Sequence, residues 1–402
     1  MVGKFVVGLT FLSLNRSHCL CPFGIGYSYK DREVSFRRNL DERIRRIYAF
    51  LILRDNGICF ILSHIMKHRS YYLDNLCCIL ILHMIYTGHI AYSCGGYYPI
   101  VITFIQTNLS FFMSWFFFKG GMMHKICSNK VILKKSYKRL LIPFFCFLVI
   151  GFILNAFISH KYPFSFSFLK EQAKFFFTHS ILWPTAASWF LLSLFVVRLA
   201  FNVLCPRIHP ILITIIFTLL GNCVYYMQSN DISFVMQWAT HHLRLYIPFY
   251  IGTMFHGLAV FSLGYYTKEI QFDRRIFILT FLIFVIHYIV PADFDFRANN
   301  SGDSNYLLAV LYGMAGCVVF NNIFKRFCNY NVPLLTHIGA NSMVYYLVHY
   351  PVMYITISLF WTPFSDYALW KRFCILSSIV TISLLIAEWV FRHKKIRFIV
   401  GG

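Results

Sequence analysis

Apolar runs of about twenty residues, separated by short basic segments, recur along this chain from residue 73 to residue 391. A helix rises about 1.5 Å per residue, so about twenty residues cross about 30 Å of hydrocarbon. Lipid offers no hydrogen bonds to a backbone, so an apolar run must satisfy its own peptide groups, which a helix does. Ten runs are expected to cross, at 73–94, 99–118, 140–158, 186–204, 209–227, 245–263, 275–291, 305–323, 338–360 and 372–391. The composition agrees: 58% of residues are hydrophobic and 13% charged, against about 25% charged in a soluble domain. The 45 Phe and 26 Tyr suit lipid-facing helices with interfacial rings. The expected class is an all-α, polytopic transmembrane bundle with both ends of its core in the cytoplasm.

The segments between runs set that orientation. With Lys67 and Arg69 inside, the loop after the second run carries Lys119, Lys125, Lys130, Lys134, Lys135, Lys138 and Arg139 without an acid. Later inside segments hold Arg207, then Lys268, Arg274 and Arg275, then Lys325 and Arg326, then the tail cations Arg392, Lys394, Lys395 and Arg397. The outside segments hold Lys161, Lys170, Lys174 and Arg297, with Arg244, Lys371 and Arg372 at run starts, and the acids Asp231, Asp293, Asp295, Asp303 and Asp366. The bias alternates at each crossing, as the positive-inside rule requires. The formal charge of +22 therefore reads as topology and contact with anionic lipid, and nucleic acid is not an expected partner.

The first 65 residues differ from the rest. They hold ten of the 37 basic residues and five acids, and their apolar stretch is interrupted by Arg54-Asp55. Residues 1–65 read as an atypical basic leader, Met66 is the expected true start of the protein, and residues 66–402 form the membrane core. The 13 Cys contain no CxxC pair, so no metal or dithiol centre is expected; buried thiols serve as small hydrophobes.

Polar groups inside the runs are costly, which makes each a functional candidate. The first run contains Asp74, Cys77-Cys78, His83 and His89. On a regular helix, positions 78 and 89 fall on one stripe, about 16 Å apart. A histidine here can serve as a general base in a polar cavity, or simply bond a neighbouring helix. The second run ends Trp115-Phe116-Phe117-Phe118-Lys119-Gly120-Gly121-Met122, and its glycine pair lets the helix end and a backbone approach closely. The next segment ends Tyr137-Lys138-Arg139-Leu140-Leu141-Ile142-Pro143; its cations fit either phosphates of a nucleotide-bearing ligand or anionic lipid. The fourth run carries Trp189 and Arg198, the ninth Asn341, Ser342 and His349, and the tenth Glu388. Arg198 either pairs inside or extends to the interface, and the ninth-run polar stripe can equally be packing glue.

Together these stretches resemble the membrane acyltransferase family that O-acylates glycans, often called acyltransferase family 3. The resemblance covers roughly residues 70–392 and rests on Leu73–His89, Trp115–Met122 with Lys138–Pro143, Ser188–Arg198, Tyr246–Gly252 and Ile338–Pro351, in family order. It implies a multi-pass enzyme of the inner (cytoplasmic) membrane. Such an enzyme moves an acyl group, usually acetyl, from cytoplasmic acyl-coenzyme A to a carbohydrate hydroxyl of a surface, capsular or O-antigen polysaccharide. No bound cofactor is implied; acyl-CoA is the donor substrate. His89 matches the family's histidine thought to act in transfer, with His83 as the fallback. The family's basic residue eleven positions earlier falls on Cys78, or on Cys77 if the register shifts by one, and its Ser-Gly pair appears as Gly120-Gly121.

Those departures are compatible with Lys119, Arg139 or Arg198 supplying the missing cation, and also with a catalytically degenerate member. In the active reading, Lys119, Lys138 and Arg139 attract the coenzyme phosphates. Asp74, Trp189, Arg198, Asn341, Ser342 and His349 line the cavity. A polysaccharide transporter or polymerase is the rival class. The sequence lacks the paired broken spans of a transporter and the Arg-rich outer loop of a polymerase; its longest outer loop, about 159–185, holds Lys161, Lys170 and Lys174.

Overall fold

Every regular element among the described residues is helical. The structure, a computed structural model, describes residues 70–96, 99–158, 165–179, 183–228, 249–269, 274–290, 292, 305–364 and 367–401. The leader 1–65 and the segments bearing Lys161, Asp231, Arg244, Asp293, Asp295, Arg297, Asp303 and Asp366 lie outside these residues.

In chain order the helices are α1 Tyr71–Ser93, α2 Ile100–Leu109, α3 Phe112–Met122, α4 Asn129–Ile158 and α5 Phe166–His179. They continue with α6 Trp189–Leu204, α7 Pro210–Gln228, α8 Phe249–Glu269, α9 Arg274–Ile286 and α10 Tyr306–Phe327. The last are α11 Pro333–Ala340, α12 Ser342–Phe364 and α13 Leu369–Phe391. Short 3-10 turns precede α6 (Trp183–Ser188) and follow α13 (Arg397–Val400).

Each of the ten expected runs contains helix among its described residues, although the run 275–291 leaves the helix at Ile286. Six segments are both long and apolar enough to cross a membrane: Tyr71–Ser93, Ile100–Met122, Asn129–Ile158, Pro184–Leu204, Tyr306–Phe327 and Leu369–Phe391. The run 209–227 is a shorter apolar helix. These helices mark the chain as a membrane protein: they have the length and apolarity of spans, and large apolar side chains such as Ile100, Phe157, Ile289 and Trp389 stay exposed on the bundle. The segment after the second run is helical rather than a loop: Asn129–Ser136 runs into the apolar stretch that follows.

α1 is the most buried of the six spans and packs against α3, α10, α11 and α12. Its sequence explains this, since Leu76, Cys78, Leu80, Ile85 and Ile90 are fully buried on several faces. Trp115, Phe117, Phe118, Phe144, Phe201, Phe261 and Tyr306 fill the space between helices. Lipid is as apolar as these rings, so close packing and hydrogen bonds hold the helices together.

Two such contacts are backbone-deep. α3 crosses α8 at Gly121 and Gly264: a Cβ on Gly121 would lie 1.9 Å from the Phe261 carbonyl oxygen, and one on Gly264 2.1 Å from that of Phe118. The glycine pair thus brings α8 against α3. Similarly, α11 meets α1 where a Cβ on Gly339 would lie 1.9 Å from the Asp74 carbonyl oxygen. Beside it the buried Asn75 amide donates to the carbonyls of Cys328 (2.9 Å) and Tyr330 (3.0 Å), and its oxygen accepts from the Thr336 hydroxyl (3.0 Å). One side chain thereby anchors the whole α10–α11 connection to α1.

Candidate active site

α1 is not regular. Residues His83–Ile90 form a π-helix, a wider turn that is rare and often found at functional sites. Its irregular carbonyl is satisfied from outside: the Gln106 amide of α2 donates to the Thr87 carbonyl oxygen at 2.5 Å. The stripe joining Cys78 to His89 holds only as far as Leu82, because the wider turn shifts every later side chain. Cys78 lies fully buried within electrostatic reach of Tyr345, whereas His89 faces a different set of rings.

That set belongs to α12. The His89 ring lies 5.2 Å from that of His349 and 5.4 Å from that of Tyr350, centroid to centroid. His349 is buried. Its Nδ1 sits 2.7 Å from the Tyr346 carbonyl oxygen and 3.2 Å from that of Tyr345. Carbonyls only accept, so Nδ1 carries the proton and Nε2 carries the lone pair. Nε2 is buried with no hydrogen-bond partner among the described residues. This is an imidazole with a fixed tautomer and an available base, directly beside a second imidazole.

His83 has another role. Its Nδ1 lies 2.6 Å from the Thr87 hydroxyl, which donates to the His83 carbonyl oxygen at 2.9 Å, and its ring meets Phe112 edge-on at 5.3 Å. These bonds tie His83 into its own helical turn. Aromatic rings wall the histidine pair: Tyr346 lies 6.2 Å from His349, and Phe190 lies 5.5 Å from Tyr346. Trp189 is buried against Phe190 at the start of α6.

A second polar group surrounds Glu388 of α13. Its buried carboxylate accepts from the Tyr345 hydroxyl, contacts His337 Nε2, and pairs with Arg392 at 3.1 Å. Asn341 caps the turn between α11 and α12, donating to the His337 carbonyl oxygen at 3.1 Å and reaching Glu388 at 3.5 Å. Beside this group opens a cleft of about 130 Å³ whose lining includes Arg139, Asn341, Glu388, Arg392 and Arg397. Arg139 stands in a second π segment, Tyr137–Leu141.

The remaining expected residues divide. Arg198 is half-buried and within electrostatic reach of Arg139. Lys138 is exposed, and Lys119 lies over the Trp115 ring of its own helix at 5.4 Å; neither lines the cleft. Ser342 begins α12, two turns before His349. Asp74 sits in the first turn of α1, at the α11 crossing. Sequence reasoning missed Asn75, Tyr345 and His337, whose partners lie far away in the chain, and read the tail arginines as topology alone.

It also missed His124, in the turn after α3. The ring is fully buried between Phe201 and Phe261, each 5.4 Å away. Burial, then the nearby Arg198 charge, lowers its pKa to about 4. Asn202 stabilises the turn by donating to the Cys127 carbonyl oxygen at 2.9 Å, and the Lys268 ammonium donates to the His124 carbonyl oxygen at 3.2 Å.

No curated protein and no solved structure matches the chain. A family model described as an acyltransferase domain matches residues 70–388. That match covers all thirteen helices but for the last residues of α13, and it includes the histidine pair and Glu388. On a membrane bundle of this kind, the match identifies the chain as a member of acyltransferase family 3.

Proposed function

We propose that the protein is an integral membrane O-acyltransferase that moves an acyl group, acetyl by family usage, from cytoplasmic acyl-CoA to a hydroxyl of a surface polysaccharide. The chain crosses the inner membrane ten times in this reading, with both ends of the core in the cytoplasm. The observation that supports it best is the His89–His349 pair, in which Nε2 of His349 keeps its lone pair in a buried site beside a π segment.

In the proposed reaction the acceptor hydroxyl gives its proton to the histidine pair, His89 meeting the substrate and His349 sharing or relaying the proton. The hydroxyl oxygen then bonds to the thioester carbonyl carbon. The carbon–sulfur bond breaks, and the departing sulfur takes the proton to give the free coenzyme thiol. The main-chain bonds from Tyr346 and Tyr345 hold the His349 ring in place for this exchange.

The test is acylation of the surface glycan, read by mass spectrometry in cells carrying the wild-type gene, no gene, or His89→Ala. The expected result is one acetyl mass lost per modified sugar without the gene and in His89→Ala, with normal membrane insertion of the variant. Unchanged acylation in His89→Ala removes that residue from the reaction, and an unmodified glycan in the wild type removes the reading itself.

A further inference from the structure

The eleven residues after α13 carry Arg392, Lys394, Lys395 and Arg397 and no acid, and a basic tail ordinarily reads as topology alone. Here the tail is folded back. The backbone of Ile396 and of Arg397 donates to the His393 carbonyl oxygen, each at 3.1 Å, and Val400 is buried as an apolar anchor. Gly401 has φ +80°, the left-handed region that favours glycine. A Cβ on it would lie 2.5 Å from the Arg139 carbonyl oxygen and 3.4 Å from Pro143. The tail is thus packed directly on the π turn that bears Arg139.

This packing brings Arg139, Arg392 and Arg397 into the lining of one cleft. Arg198 adds its field from within reach of Arg139. Among the described residues the only acid lining the cleft is Glu388, and its oxygens are already engaged by Tyr345, His337 and Arg392. Arg139 and Arg397 have no carboxylate partner among the described residues. Like charges held together this way cost energy unless an anion answers them, and planar guanidinium forks match phosphate oxygens in pairs.

We propose that the C-terminal tail, lying beyond the family match, completes with Arg139 a phosphate-binding cleft that takes the 3′-phosphorylated adenosine diphosphate end of coenzyme A. The inference rests on the acyltransferase reading above. Distance supports a long ligand rather than a simple phosphate. Asn341 lines the cleft, and His349 lies eight residues further along α12, about 12 Å at helical rise. A donor with its phosphates in the cleft and its thioester at the histidine pair must be extended, as the pantetheine arm is. An anionic lipid headgroup shares the phosphate chemistry but needs no such reach.

The full chain in neutral detergent is titrated by calorimetry with coenzyme A and with 3′-dephospho-coenzyme A, as wild type, Arg397→Gln and the Lys394→Gln/Lys395→Gln control. Expected are tighter wild-type binding of coenzyme A than of the dephospho form, and about a tenfold loss of affinity in Arg397→Gln with that preference erased. The control, whose lysines lie on the tail but outside the cleft lining, keeps both. If Arg397→Gln retains the affinity and the preference, the cleft assignment is overturned while the acyltransferase reading stands. An equal loss in the control also overturns it, as a bulk-charge effect. Wild-type protein that binds no coenzyme A defeats both. In vesicles, competition by phosphatidylglycerol at Arg397 with coenzyme A affinity unchanged in Arg397→Gln assigns the cleft to lipid and overturns the proposal.

Discussion

Tyr345 of α12 donates its hydroxyl to the Glu388 carboxylate of α13, while its own carbonyl oxygen faces Nδ1 of His349 one turn on. A single residue therefore touches both polar groups of the bundle. The Glu388 cluster adjoins the arginine cleft, and His349 adjoins His89. Tyr345 is a covalent and hydrogen-bonded link between them.

Tyr345→Phe removes one charged hydrogen bond from a buried carboxylate and keeps the ring. The expected cost is about 2 kcal/mol, because a largely buried carboxylate loses a charged hydrogen bond. It would be read as a lower unfolding midpoint in detergent. Glu388→Gln should cost more, since Arg392 and His337 also lose their partner. Equal midpoints for wild type and both variants would contradict the network.

His349→Gln keeps the membrane fold but removes the basic nitrogen. Acyl transfer should fall by a factor on the order of 100 or more, as for loss of a positioned base. The assay is single-turnover transfer to a saccharide acceptor by protein reconstituted in vesicles. His83→Gln should lose much less, because the His83 ring is tied to Thr87 of its own turn. A larger loss in His83→Gln would exchange the two assignments.

Gly121→Ala places a methyl group where the Phe261 carbonyl oxygen lies, a clash that only separation of α3 and α8 relieves. Destabilisation by at least about 2 kcal/mol is expected, by the logic of overpacking. Gly88→Ala is the control: its Cβ would meet only the His83 carbonyl oxygen, 3.9 Å away. Size-exclusion profiles after a heating series should separate the two variants.

Asn75→Leu leaves the Cys328 and Tyr330 carbonyls and the Thr336 hydroxyl without their partner. Loss of about 2 kcal/mol follows from these unsatisfied groups. Protease accessibility of the α10–α11 connection should rise, which a purely local change at residue 75 would not produce.

His124 gives a pH dependence with a definite sign. Its folded pKa lies near 4, below the free value of about 6.5, so the unfolded chain binds more protons between those values. Stability is full above pH 6.5 and declines as pH falls towards 4, by about 2 kcal/mol at pH 5. Arg198 and Lys268 lie close by, so protonation there gains no compensating anion. Unfolding midpoints measured from pH 7.5 to pH 5 should fall in the wild type, and the slope should flatten in His124→Phe.

The sequence by itself determined that this chain is a helical membrane protein and where its apolar helices run, because backbone groups in lipid must pair within the segment and runs of about twenty apolar residues do so as helices; it did not show the helices Asn129–Ser136 and Phe166–His179 in the segments between. It also exposed the polar residues in the spans, His89 and His349 among them, since polar groups stand out against apolar neighbours. Tertiary structure decided which of them meet. Regular helical spacing cannot anticipate the π segment that precedes the meeting of His89 with His349, nor that Gln106 of another helix donates to the Thr87 carbonyl within it. Nor does spacing reveal that Arg392 and Arg397 come back to Arg139, more than 250 residues earlier in the chain. Their meeting depends on how α13 and its tail pack against α4 and α12, which is a property of contacts between helices and is written in no single stretch of sequence.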